Sequence, residues 1–263
     1  MREIDSYYTQ SDEAARLKSG SGLLEFHRTQ ELIQSRLSQP PLTILDIGGG
    51  PGAYAAWLTA LGYSVYLLDP VDKHLEQASH LGLAGVRQGD ARALPCENES
   101  VDAVLLLGPL YHLTHRPDRI LALSEAHRAL KPGGLLFAAA ISRYASLFHS
   151  LVDGFVDDDA FFPILTRDLA EGQHRNETGN AMYFTTSVFH RPSELHDELQ
   201  EAGFPKPEVI GIEGPGWLAK DFDERWRHEP RRERLLTLVR AVESEGPLLG
   251  CSLHLMAIGR KSS

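Results

Sequence analysis

The residues best suited to chemistry are the glycines of Leu45-Asp46-Ile47-Gly48-Gly49-Gly50-Pro51-Gly52. Residues without a Cβ let the backbone turn sharply and approach a ligand closely. The loop follows an apolar run and opens a helical one, so the free N–H groups of a helix start lie beside it. Such donors hold a carboxylate as readily as a phosphate. Gly48, Gly50 and Ala53 also fit G-x-G-x-x-A, close to the dinucleotide fingerprint, so the loop alone leaves a nicotinamide site and a sulfonium site both open. Asp69 stands 21 residues after Gly48, at the end of the next apolar run, with Pro70 behind it. A carboxylate there can accept both ribose hydroxyls of an adenosine in either kind of site. His112 follows the fourth apolar run by a few residues. An ordinary imidazole pKa of about 6.5 suits proton transfer at neutral pH, which makes His112 the candidate general base. Tyr111 beside it is placed to orient a substrate or cap the cleft.

These side chains need a frame to converge. Leu42 to Ile47, Ser64 to Asp69, Ala84 to Gln88, Val101 to Leu107 and Leu135 to Ile141 read as five strands. Helices near 52–61, 71–80 and 117–130 separate them, and another precedes them at 23–37. The strong strands are apolar without alternation, as in a sheet covered on both faces, hence a parallel one. Strand then helix, repeated, is the doubly wound α/β pattern. A helix from Pro192, a strand near 206–212, a helix near 231–244 and a strand near 251–258 continue it. The order breaks at 142–190, around Asp157-Asp158-Asp159 and several aromatics, with a strand pair expected around Met182 to Phe189. That stretch reads as an insertion over the ligand cleft, where substrate choice usually resides. The organisation expected is an N-terminal helical cap over 1–40, a core of 41–142 and 191–263, and a substrate cover over 143–190.

Three further segments separate the alternatives. Gly89-Asp90-Ala91 precedes Leu94-Pro95, Val101-Asp102-Ala103-Val104 leads into Leu105 to Gly108, and Leu130-Lys131-Pro132-Gly133-Gly134 precedes the fifth strand. In this order the chain resembles the class I, Rossmann-like S-adenosylmethionine-dependent methyltransferases over about 42–141, and more weakly over 191–258. The resemblance implies a seven-stranded sheet with an antiparallel last strand. It implies S-adenosyl-L-methionine as cofactor and S-adenosyl-L-homocysteine as product. It puts Asp46, Gly48, Gly49, Gly50 and Gly52 at the methionine end, Asp69 and Pro70 at the ribose, and Gly89, Asp90 and Ala91 at the adenine. Leu107 and Gly108 fall beside the transferred methyl. Phe26 to Glu31 and Gly108 to Leu113 look like a bacterial small-molecule subgroup. A nicotinamide-dependent oxidoreductase on a related fold, or a non-catalytic S-adenosylmethionine-binding protein, is the alternative.

Other candidates lie around the same cleft. Tyr8, with Tyr7, is placed to cover the cofactor, and Arg28 to pair with its carboxylate. Arg143 and Tyr144, just past the fifth strand, point to the substrate end. His112 and His115 lack the further ligands a metal needs, so none is expected. The Asn/Asp-Pro-Pro-Tyr segment of many base and glutamine amino-methyltransferases is replaced here by Gly108-Pro109-Leu110-Tyr111, and neither Cys96 nor Cys251 stands where a cytosine C5 nucleophile would. The net charge of -10 opposes attraction to nucleic acid. No run of about 18 apolar residues suggests a membrane span. The N-terminus lacks a signal-peptide pattern and the cysteines form no framework, so the reading is cytoplasmic. The partner expected is a small-molecule substrate, with the protein a monomer or homodimer.

Overall fold

A computed structural model describes residues 13–262. Its first three strands are β1 (Thr43–Ile47), β2 (Ser64–Asp69) and β3 (Gly85–Gln88), followed by β4 (Val101–Leu106) and the long β5 (Leu130–Ser142). They lie in the order β3-β2-β1-β4-β5 and all pair in parallel. β8 (Glu208–Gly211) and β9 (His254–Arg260) complete the seven expected strands. β9 runs antiparallel to both β5 and β8, as the resemblance implied.

Helices cover both faces. On one, α1 (Glu13–Arg16) leads to α2 (Ser21–Gln34), which is followed in the chain by α3 (Ala53–Ala60) and α4 (Asp72–Ser79). Leu32, Ile33, Ala55, Leu58 and Ala78 from these helices pack on Ile44, Leu105, Phe137 and Met256 of the sheet. On the other, the short α5 (Pro109–His112) precedes α6 (Arg116–Ala129), and Leu123 and Ala126 of α6 meet Leu45, Val104 and Leu136. Buried apolar side chains on both faces explain why β4 and β5 carry no alternation. Crossovers of strand, helix and parallel strand leave every strand-to-helix loop of β1 to β4 at one rim of the sheet, the rule that places ligands in such folds.

The stretch 142–190 is more ordered than its sequence suggests. It holds α7 (Ala145–Asp153) and α8 (Phe162–Glu171), each stopped by a left-handed glycine, Gly154 and Gly172. Its strand pair is β6 (Gln173–His174) with β7 (Ser187–His190), so the first strand precedes the expected window. β7 also pairs with the tip of β5 through Phe189 and His190, giving nine strands instead of seven among the described residues. Asp168, fully buried, ties the insertion together by accepting from Ser146 Oγ at 2.5 Å and meeting His174 Nδ1 at 2.8 Å. The chain then enters α9 (Pro192–Glu201), and α10 (Phe222–Arg227), α11 (Glu229–Val242) and α12 (Gly246–Leu249) precede β9. No helix among the described residues is long and apolar enough to cross a membrane.

Candidate active site

A cavity of about 210 Å³ opens at the rim where β1 to β4 end. Its wall combines the glycine loop, the β2 tip at Asp69 and Pro70, Gly89 to Arg92, Leu107 to Pro109, and Tyr111 to Leu113, with Arg16 and Leu17 closing it from the N-terminal side. Gly48 is left-handed at φ 66°, and a Cβ there would lie 2.6 Å from Pro109 Cγ. Only glycine lets the β1 loop turn this way while touching the β4 tip. Gly52 holds φ 89° at the start of α3, but it lies behind the cavity wall rather than in it.

Three acids face the cavity in different states. Asp46 is 1% exposed, and its Oδ2 has no hydrogen-bond partner among the described residues. Burial, then the neighbouring charge of Asp69, pushes its pKa up to about 7. Asp69 accepts from Gly50 N at 2.9 Å through Oδ2 and from Val71 N at 2.9 Å through Oδ1, and Oδ1 meets His74 Nδ1 at 3.1 Å. An ionised carboxylate has about four lone-pair positions. These bonds use three, so holding two ribose hydroxyls requires one of them to yield. Asp90 is gripped by Arg92 through Nη2 at 2.6 Å and Nε at 3.0 Å. The Arg92 hydrogen bonds hold its carboxyl below the usual range. Arg92 is itself braced by Asp118 at 3.0 Å. The Asp90 side chain stays 40% exposed, which leaves an acceptor position open to an adenine amino group.

The state of Asp46 has a consequence for stability. Folded, the carboxyl keeps its proton up to about pH 7, whereas its ordinary value is 3.8. The folded state therefore binds the extra proton between these values, and stability falls as pH rises through that window. Asp46→Asn should remove the slope. Urea unfolding at pH 8 should show the variant more stable than wild type by on the order of 4 kcal/mol, with little difference near pH 4. Parallel stability curves for the two proteins would contradict the assignment.

His112 ends α5 and lines the cavity beside Tyr111, whose ring it meets edge-on at 4.7 Å between centroids. Its Nδ1 approaches the Thr186 carbonyl at 3.4 Å, and its ring faces Phe184 at 6.1 Å. The insertion thus backs this residue from outside without adding a cavity-lining side chain among the described residues. Burial brings the His112 pKa down to about 4. The ordinary value that recommended it as a base does not apply in this environment.

Several expected contacts lie elsewhere. Arg28 is 2% exposed and pairs with Glu31 and Glu243 while Nε donates to the Ile212 carbonyl at 3.4 Å, so it fastens α2 to the segment after β8 and to the end of α11. Arg143 is 3% exposed and spans Glu194 at 2.7 Å and the Phe189 carbonyl at 2.8 Å, bracing the insertion. Tyr144 precedes α7 and packs against Gly250. None of the three lines the cavity. Tyr8 lies outside the described residues. In turn, Arg16, Tyr54, His74 and Arg92 line the cavity although the sequence reading passed over them. His74 had a legible signal, since it sits five residues after Asp69 on the helix that the β2 loop opens.

Comparison with known proteins places this geometry. A methyltransferase-domain family model matches residues 45–138. A ubiquinone biosynthesis O-methyltransferase of Azorhizobium caulinodans is 30% identical over 192 residues, 69% of this chain and 68% of that protein. A ubiquinone/menaquinone biosynthesis C-methyltransferase of Acidiphilium cryptum is 37% identical over 43% of this chain and 48% of that protein. A malonyl-[acyl-carrier protein] O-methyltransferase of Methylococcus capsulatus is 33% identical over 48% of each chain. The match thus spans about half the length of the latter two. Among solved structures, an S-adenosylmethionine-dependent methyltransferase of Methanosarcina mazei superposes with TM-score 0.59 at 19% identity, covering 88% of this chain and 97% of that one. One from Mesorhizobium loti gives 0.58 at 17% identity, covering 90% and 100%.

Proposed function

This chain belongs to the class I S-adenosylmethionine-dependent methyltransferases, and on that premise we propose that its cavity holds the cofactor along the four strand tips and presents the methyl group to a small-molecule acceptor. The observation that carries this reading is the convergence, in one cavity, of the glycine loop, Asp69, Gly89 to Ala91, Leu107 to Pro109 and Tyr111 to Leu113. The residues fit the cofactor. Asp46 offers the ammonium of the amino-acid end a buried side-chain oxygen that has no hydrogen-bond partner among the described residues. A Cβ built on Gly50 would meet only His74, at 4.0 Å, so the loop leaves room for a ligand. The β2 tip carries Asp69 for the ribose, and Asp90 stands at the adenine end.

When bound, the cofactor supplies a sulfonium methyl, already a strong electrophile. The chain's work is then alignment and exclusion of water, and alignment alone is worth up to about 7–11 kcal/mol in ideal cases. Leu107 and Gly108 end β4 beside the place of transfer, and α5 walls it with Tyr111 and His112. A His112 ring with pKa about 4 is neutral at pH 7 and can accept a hydrogen bond, but it holds a proton poorly. His112 therefore serves to orient the acceptor. The acidic balance and the family names of the relatives support a small molecule over nucleic acid. The relatives methylate oxygen in two cases and carbon in another, so the acceptor atom is left open.

The test is thermal unfolding with S-adenosyl-L-homocysteine, followed by assay of its release from the cofactor against pools of small metabolites. A rise in Tm with ligand concentration is expected, and release is expected from at least one pool. Absence of the Tm rise removes the cofactor assignment. Release only with tRNA or DNA removes the small-molecule assignment. With the acceptor in hand, His112→Ala should lower kcat about 10-fold or more while the Kd for S-adenosyl-L-homocysteine changes less than about 3-fold. A collapse of binding would instead make His112 a cofactor contact.

A further inference from the structure

A second group of ionisable residues sits on the same rim and is used by nothing described above. Glu25 on α2, Glu213 just after β8 and His254 at the start of β9 bring their donor atoms within 4.8 Å of one another. Glu213 is fully buried. Its Oε1 meets His254 Nδ1 at 2.6 Å, and its Oε2 accepts from Ser252 Oγ at 2.7 Å and from the His254 backbone at 3.0 Å. Ser252 Oγ in turn accepts from the backbone of Glu213 and Gly214 at 3.0 and 3.1 Å. The carboxylate is therefore fixed in one orientation, aimed at one imidazole nitrogen. A metal is a poor occupant, because Nδ1 is already spent on Glu213 and both Glu25 oxygens are taken by Arg16 at 2.5 and 3.0 Å.

The placement of His254 follows from register. It lies opposite Ile141, while Met256 lies opposite Ala139 and Ile258 opposite Phe137. Met256, Ile258, Phe137, Ile44 and Leu105 share the core face beneath α2 to α4. By strand alternation, His254, Asp46 and Leu107 point to that same face. His254 is thus at the strand-tip rim, two strands across from the place of methyl transfer and just outside the residues that line the cavity. Its side chain is 20% exposed, and among the described residues Nε2 has no hydrogen-bond partner. Glu25 Oε2 lies 3.7 Å from its Nδ1, and the Arg16 partner of Glu25 lines the cavity.

We propose that His254, oriented by Glu213, is the proton acceptor of the reaction, and that the acceptor substrate carries an O–H or N–H directed at Nε2. The proposal rests on the cofactor reading above. The acceptor's lone pair forms the new O–CH3 or N–CH3 bond as the S–CH3 bond breaks with its electrons to sulfur. The acceptor's proton passes to Nε2. One positive charge leaves the sulfonium and one appears on the imidazolium, where Glu213 and Glu25 face it. The arrangement follows the logic by which a buried carboxylate on Nδ1 prepares Nε2 as a base. Burial pulls the His254 pKa down, and the charges of Glu25 and Glu213 more than offset it, so the ring lies above its ordinary value, with Arg16 opposing.

The test follows the histidine ring signals by NMR in 13C-labelled protein saturated with S-adenosyl-L-homocysteine, with phenol and benzylamine as probes. His254→Gln assigns the signal. Addition of either probe is expected to move the His254 signal, and Glu213→Gln is expected to make it titrate about one pH unit lower. Glu25→Gln, which leaves the fully buried carboxylate in place, should lower it less and serves if the Glu213 variant does not fold. Probes that leave the His254 signal unmoved, whether or not they move those of His74 and His112, overturn the proposal. So does a His254 titration unchanged in Glu25→Gln and in any folded Glu213→Gln protein. Failure of wild type to bind S-adenosyl-L-homocysteine would instead remove the cofactor reading.

Discussion

Asp69→Ala should weaken S-adenosyl-L-homocysteine binding at least about 10-fold by calorimetry. Hydrogen bonds to a charged group contribute about 1.5–3 kcal/mol each, and each 1.4 kcal/mol is tenfold. The carboxylate does two jobs at once. It faces the cavity from the β2 tip, and its Oδ2 accepts from Gly50 N at 2.9 Å, holding the glycine loop against that tip. Losing it removes the ribose acceptor and leaves the loop without its anchor. Asp69→Asn keeps an oxygen for one of these bonds and should lose less. An Asp69→Ala protein with wild-type affinity would show that the sugar is held elsewhere.

Glu198→Ala should destabilise the fold by about 3–5 kcal/mol, because it strands a buried cation. Glu198 on α9 is 2% exposed and sits against Arg119 of α6, 6% exposed, at 2.6 Å, with His190 of β7 at 3.2 Å. Arg119 also donates to the carbonyls of Leu113 and Thr114, so the network fixes the chain just after His112. Burial alone would raise the Glu198 pKa, but the bonds from His190 and Arg119 bring it down to about 2. A depressed carboxyl stabilises above its ordinary value of 4.5 and loses that contribution as pH falls through the folded value. The gap between wild type and variant in urea unfolding should therefore be full at pH 6 and narrow below about pH 4. A gap under about 1 kcal/mol at pH 6 would show that the pair is relaxed by water.

What the sequence disclosed follows from the range of the forces involved. Gly48 to Gly50 and Asp69 are each set by a strand end and the turn after it, so spacing pointed to them, while Gly89 to Ala91 came from the family resemblance, and all of these line the cavity. Arg28 and Arg143 failed for the opposite reason. A long cation goes to whichever carboxylate the fold delivers, and Glu243, 215 residues from Arg28, is invisible in local pattern. Glu213 and His254 were missed likewise, since they meet only after β8 and β9 pair. The helices of the insertion were passed over because their apolar faces meet partners far off in the chain, Ala145 and Phe148 of α7 lying with Trp217 and Ile164 and Leu165 of α8 with Tyr183. His112 was placed correctly at the cavity, but burial changed its chemistry, which no spacing could reveal.

The most direct measurement is a crystal structure with S-adenosyl-L-homocysteine bound. The account predicts the amino-acid end over Gly48 to Gly50 with its ammonium at Asp46, the ribose hydroxyls on Asp69, and the adenine beside Asp90 and Ala91. A ligand bound away from these tips, with Asp69 still closed on Gly50 and His74, would contradict it.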